Sequence, residues 1–158
     1  MKILLAVDAS EFSEAAIQAV LAQFSPKAAE VQVFHAVDWE EHLPPPYLFA
    51  QSREAARDAL ALRERMVREA DEYVKRIAKR LQSAGFAAGS ETSSEGDPGS
   101  AILDAAKAFR ADLIVVGSHG RSGLGRFLLG SVSDRVVRHA PCSVQVVRPA
   151  ARTRARRK

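Results

Sequence analysis

The chain has 158 residues, 47% of them hydrophobic and 27% charged, with a formal net charge of +4. That length suits one domain with a sizeable core, and the composition excludes a disordered chain. No apolar run nears the ~20 residues of a membrane-spanning helix, the opening Met1–Asp8 turns acidic too soon for a secretory signal, and the lone cysteine, Cys142, excludes an internal disulfide. These features point to a soluble protein of a reducing cytoplasm.

The positive charge belongs to the end of the chain. Six basic residues and no acid lie from Arg148 onward, leaving 17 basic and 19 acidic residues before them. We therefore divide the chain into a domain over 1–149 and a basic tail over 150–158. Such a tail can attract nucleic acid or anionic lipid, though a frayed solubilising terminus is the simpler reading.

Residues 2–7 are a short apolar run ending at Asp8, as in a strand buried on both faces. Ser10 or Ser13 is placed to cap a following helix whose apolar face holds Ala16, Ile17, Val20, Leu21 and Phe24. Residues 31–37 form the second strand. Pro44, Pro45 and Pro46 interrupt regular structure after it. A long helix is expected from about Ser52 to Ala84. Its stripe of Ala59, Leu60, Met66, Val67, Ala70, Tyr73, Val74, Ile77 and Leu81 reads as core packing, and Gly85 ends it. The third strand, 86–93, is weakly marked and is placed by the alternation alone. Gly96-Asp97-Pro98-Gly99 is a turn, with Asp97 as N-cap and Pro98 at the first helical position. A helix through Ile102, Leu103, Ala106 and Phe109 follows, then the clearest central strand, 112–116. A glycine-rich loop leads to a helix through Val132, Val136 and Val137, broken at His139-Ala140-Pro141. The last strand is 143–147.

This alternation predicts an α/β layered fold with a mostly parallel sheet and right-handed crossovers. Ligands in such sheets lie beyond the carboxyl ends of the strands. Asp8, Ala36-Val37 and the loop from Gly117 all fall at such ends.

The loop 117–131 holds five glycines in fifteen residues, between a strand and a helix. Glycine admits positive φ and close approach to a ligand, so that successive N–H groups can converge on an anion. Gly130-Ser131 marks a helix entrance, where free amides and the helix dipole favour phosphate. Arg121 and Arg126 add charge at the rim. A P-loop is excluded because Ser131-Val132, not Lys-Ser, follows Gly130. The dinucleotide fingerprint and the nucleophile elbow are absent as well.

The spacing Gly117, two residues, Gly120, nine residues, Gly130-Ser131 resembles the ATP-binding universal stress proteins. The flanks 112–123 and 130–149, the opening Ile3–Ser10 and the Gly96-Asp97-Pro98 turn are similar too. The resemblance spans nearly the whole chain. It implies a five-stranded parallel sheet of order 3-2-1-4-5, single-domain and Rossmann-like. It implies that Asp8 accepts hydrogen bonds from the ribose and that Val7 and Ala36 contact adenine, largely through the backbone. Val116 and Gly117 would line the pocket, and Gly120, Gly130, Ser131 and Val132 would hold the phosphates. It also implies stress-response association and a two-fold dimer through 143–147, whose pairing Arg148-Pro149 would limit.

From the residues alone, Asp8 is as well placed to cap the first helix as to face a ligand. His119 reads as an exposed bystander rather than a phosphate contact, and His35 as a partly buried strand residue. His139 and Cys142 lack anything to orient a base. No His/Cys cluster has metal-ligand spacing, so any Mg²⁺ would ride on the ATP phosphates. Asp97 and Asp134 are candidate general bases by proximity only. The expectation is an ATP-binding sensor or regulator with slow hydrolysis at most. The alternatives are an ATP-hydrolysing or phosphotransfer enzyme on the same pocket, or nucleic-acid binding through the tail.

Overall fold

A computed structural model describes residues 1–38, 53–120 and 129–149. Arg121, Arg126, Pro44–Pro46 and the tail 150–158 lie outside the described residues. In chain order the elements are β1 (Lys2–Ala6), α1 (Glu11–Gln23), β2 (Glu30–Ala36), α2 (Arg53–Ser83), β3 (Ala87–Ser93), α3 (Pro98–Phe109), β4 (Leu113–Gly117), α4 (Ser131–His139) and β5 (Ser143–Val147).

The five strands form one sheet in the order β3-β2-β1-β4-β5, with every pairing parallel. Ile3 faces Val31 on one side and Leu113 on the other. Strand residues alternate between two cores. Ile3, Leu5, Val31, Val33 and Val115 pack against Ile17 and Val20 of α1 and Val74, Ile77 and Leu81 of α2. Leu4, Ala6, Phe34, Ile114 and Val116 pack against Ile102 and Ala106 of α3 and Val136 of α4. A strand covered on both faces must be apolar at every position, which is why β1 reads as an unbroken run.

The caps follow from local chemistry. Ser10 caps α1, its hydroxyl accepting the Ser13 N–H at 3.2 Å. Asp97 caps α3, accepting the Ser100 N–H at 2.8 Å, with Pro98 opening the helix. Gly85, at φ +94°, ends the turn after α2, and the Phe86 N–H reaches back to the Leu81 carbonyl at 3.1 Å.

The long helix departs from its expected role along half its length. Its buried residues are Ala70, Val74, Ile77, Ala78 and Leu81, all in the C-terminal half. Leu60 is 58% exposed, so the stripe over its first turns is not core. β3 forms despite its weak signal because its backbone pairs along β2 from Ala87 to Ser93. An edge strand needs fewer apolar side chains than a central one.

Sheet order reverses between β1 and β4. β1 leads through α1 to β2 on one side, while β4 and β5 lie on the other. The diverging connections leave a crevice at the carboxyl ends of β1 and β4.

Candidate functional site

The crevice is a cleft of about 770 Å³, within the range of small-molecule sites. The nine residues that the resemblance assigns to the nucleotide line it. Val7 and Asp8 follow β1, Ala36 ends β2, and Val116 and Gly117 end β4. Gly120 lies in the loop, and Gly130, Ser131 and Val132 open α4.

Asp8 is held before any ligand arrives. Its Oδ1 accepts the Ser13 hydroxyl at 2.6 Å and the Ser10 N–H at 3.1 Å. Its own N–H donates to Ser13 Oγ at 2.8 Å. It shapes the entry to α1, whereas Ser10 is the cap. A Cβ placed on Gly120 would lie 2.7 Å from Asp8 Oδ2, so the backbone at Gly120 lies close against the carboxylate. Ala9 beside it sits at φ 61°, a left-handed conformation costly for a residue with a Cβ.

The glycines work differently from the expectation. Among the described glycines, positive φ occurs at Gly85 and Gly96, not in the motif. Close approach is the reason instead. A Cβ on Gly117 would lie 2.7 Å from Phe12 Cβ, and one on Gly130 would lie 3.3 Å from His119 Cα. Two of the loop's amides are also taken by the protein. The Ser118 N–H donates to the Val147 carbonyl at 2.8 Å, and the Gly130 N–H to the Ser118 carbonyl at 2.9 Å. The first amides of α4 have no partner within the helix. Gly130 is its N-cap and gives no side-chain cap, and Ser131 is its first residue rather than its cap.

Sequence reasoning missed several lining residues. Ser133 is buried, its hydroxyl within 2.9 Å of both the Ser118 and Gly130 carbonyls. Met66, Glu69, Ala70, Tyr73 and Arg76 bring α2 to the cleft wall. Helical periodicity marked part of this face but could not distinguish cleft from core. Burial pushes the Tyr73 phenol above its ordinary value, and the Asp8 and Glu14 charges add to the shift. The Ala9 N–H and Arg76 oppose it. His35 is buried on β2, with its ring edge-on to Tyr73 at 6.3 Å.

His119 is not an exposed bystander. It is half-buried and lines the cleft. Its Nδ1 lies 3.1 Å from Ser118 Oγ, and its ring packs 5.2 Å from that of Phe12. Its Nε2 is shielded from solvent and has no hydrogen-bond partner.

The two candidate bases are committed elsewhere. Asp134 accepts the Arg138 Nε–H at 2.8 Å, which holds its carboxyl below the usual range. Asp97 pairs with Arg135 at 3.3 Å. Neither is among the residues lining the cleft. Burial pushes the Cys142 thiol up, which makes it a poorer nucleophile. Among the described residues no three His, Cys, Asp or Glu could hold a metal ion, and no helix is long and apolar enough to cross a membrane.

Residues 1–148 match the model of the universal stress protein family. Universal stress protein Sll1388 of Synechocystis is 32% identical over 92% of this chain and 96% of its own. The structure of MJ0577 from Methanocaldococcus jannaschii superposes with a TM-score of 0.81 at 30% identity, covering 95% of this chain and 96% of that one. UspA of Lactobacillus plantarum superposes at 0.73 and 27% identity, covering 94% and 97%. With its sheet order, its cleft and these matches in agreement, the chain belongs to the universal stress protein family.

Proposed function

We propose that the cleft binds ATP and that the protein is a nucleotide-dependent regulator of the stress response, with slow hydrolysis at most. The observation that carries this reading is convergence. Nine residues scattered over 126 positions of chain, from Val7 to Val132, line one cleft at the sheet's switch point. The α4 N-terminus, uncapped by any side chain, opens into the same cleft. Two structures of this fold support an adenine nucleotide. An Arabidopsis thaliana family member, 20% identical, holds AMP, and a universal stress protein, 23% identical, is in complex with cAMP. At that identity they speak for the fold, and the residues of this chain carry the rest.

On this reading the ribose meets Asp8 Oδ2, on the side of the carboxylate away from Ser13. Val7 and Ala36 form the adenine wall. The Val7 N–H already donates to the Phe34 carbonyl at 2.9 Å, which leaves its own carbonyl as the backbone group for the base. Phosphates meet the amides of Ser131 and Val132 beside Gly120 and Gly130. Arg121 and Arg126 supply charge at the rim. Mg²⁺ fits here only as a passenger on the phosphates, keeping most of its waters. The protein works in the cytoplasm as a homodimer through β5, which among the described residues is an edge strand of the sheet.

Mass analysis of the nucleotide released on denaturing the purified protein tests the ligand. Recovery of ATP near one per chain is expected. A nucleotide-free protein that also gives no heat with added ATP overturns the reading. Sedimentation across a concentration series tests the dimer, and a monomer at every concentration removes it.

A further inference from the structure

We infer that Tyr73 is a positioning residue for the sugar: from α2 its hydroxyl holds the Asp8-Ala9 turn and so keeps the Asp8 carboxylate aimed into the cleft. The inference rests on the nucleotide reading above and names a residue outside the motif which that reading uses.

Ala9 is the joint of the turn. It lies between Asp8 and the Ser10 cap, and Asp8 Oδ1 reaches past it to accept the Ser10 N–H at 3.1 Å. That short loop leaves Ala9 at φ 61°, a conformation that a residue with a Cβ keeps only where its surroundings hold it. Ser13 secures the amide and the carboxylate of Asp8, but neither bond touches Ala9. Tyr73 does. Ala9 and Tyr73 line the same cleft, and the Ala9 N–H donates to the Tyr73 phenol oxygen.

The ring is held from its own side. It packs against the core that contains Val74 and Ile77. The His35 ring stands perpendicular to it at 6.3 Å, and the Arg76 guanidinium lies 5.8 Å from its centroid. A packed helix therefore bears on a left-handed turn through one oxygen. Burial first, then the charges of Asp8 and Glu14, raise the phenol above its ordinary value, so it stays neutral at physiological pH. A neutral phenol accepts the amide without setting a second negative charge beside Asp8.

Only a ligand with sugar hydroxyls reports on the aim of that carboxylate. ATP carries them; 2′,3′-dideoxy-ATP has the same base and phosphates and nothing to donate to Asp8. Loss of the Tyr73 hydroxyl should therefore fall on ATP and spare the dideoxy ligand. A general loosening of the cleft would weaken both.

Calorimetry with the two ligands on wild type, Tyr73→Phe and the double variant Tyr73→Phe/Ala9→Gly tests this. Phe keeps the ring and its packing and removes only the oxygen. Tyr73→Phe is expected to weaken ATP about fivefold, the net worth of one neutral hydrogen bond, and to leave 2′,3′-dideoxy-ATP unchanged. Ala9→Gly in that background should recover most of the loss, because glycine adopts this φ without support. Unchanged ATP affinity in Tyr73→Phe, equal losses for the two ligands, or no recovery in the double variant overturns the inference and leaves the nucleotide reading standing. A wild type that binds neither ligand overturns the nucleotide reading, and the inference with it.

Discussion

A methyl group on Gly117 would collide with Phe12 where α1 crosses the end of β4, at 2.7 Å from Cβ and 3.0 Å from the carbonyl carbon. Backbone atoms cannot swing aside as a side-chain tip can. Gly117→Ala should therefore destabilise the fold by about 1–3 kcal/mol, read from urea unfolding. On Gly120 the obstacle is only the Asp8 carboxylate oxygen. Gly120→Ala should leave the unfolding midpoint close to wild type and weaken ATP instead, because the displaced carboxylate is the one assigned to the ribose. Equal losses of stability in the two variants would contradict that division. Ser13 is buried and bonds both the carboxylate and the amide of Asp8. Ser13→Ala should cost about 1–3 kcal/mol by leaving those groups unpaired. The motif's spacing was legible in the sequence, but the reason for each glycine was not. That reason is a neighbour more than a hundred positions away for Gly117 and Gly120.

The helices divide the work among themselves. α2 is packed in its C-terminal half and lines the cleft with Met66 and Tyr73. Leu81→Ala should cost about 2–5 kcal/mol as a buried truncation, whereas Leu60→Ala, at an exposed position, should stay within about 0.5 kcal/mol. Similar costs at both sites would mean that Leu60 is covered in solution. α3 depends on Asp97, which both caps it and reaches Arg135 of α4. Burial alone would raise the Asp97 carboxyl, but hydrogen bonds from Ser100 and the charge of Arg135 outweigh it and hold it below 3.8. A carboxyl depressed in the folded state stabilises above its unfolded value and loses that contribution as pH falls through the folded one. Asp97→Ala should cost about 1 kcal/mol at neutral pH, the usual worth of an N-cap. The gap to wild type should narrow below about pH 4 in urea titrations. A gap that persisted unchanged to pH 2 would show that the carboxylate charge contributes nothing. The Asp97 cap, its Pro98 and the Gly85 stop were all readable locally, because caps are made by residues within one turn of each other.

At the scale of the whole molecule, ligand binding and stability are linked. A site that exists only in the folded chain should raise stability by about 2.7 kcal/mol at a hundredfold excess of ATP over its Kd. For a chain of this size that is roughly 5–10 °C in melting temperature. Deleting residues 150–158 should leave this shift intact, and should abolish any salt-sensitive nucleic-acid binding. If the tail deletion removed the ATP shift, the cleft would not be the whole site. The end of β5 touches the same machinery, since the Val147 carbonyl holds the Ser118 N–H. A main-chain hydrogen bond therefore joins the end of the outer strand to the residue that follows β4.

Local pattern alone established the alternation of elements, the caps and a loop spacing that resembles one family. These depend on residues close together in the chain, where propensity and periodicity act directly. The sheet order came from that resemblance, and the structure bears it out. Only the tertiary structure decided that Met66, Tyr73 and their neighbours on α2 line the cleft, that the motif glycines answer to Phe12, Asp8 and His119, and that His119 is half-buried rather than exposed. A period of 3.6 residues says which side chains share a face; what lies against that face is set by elements far away in sequence.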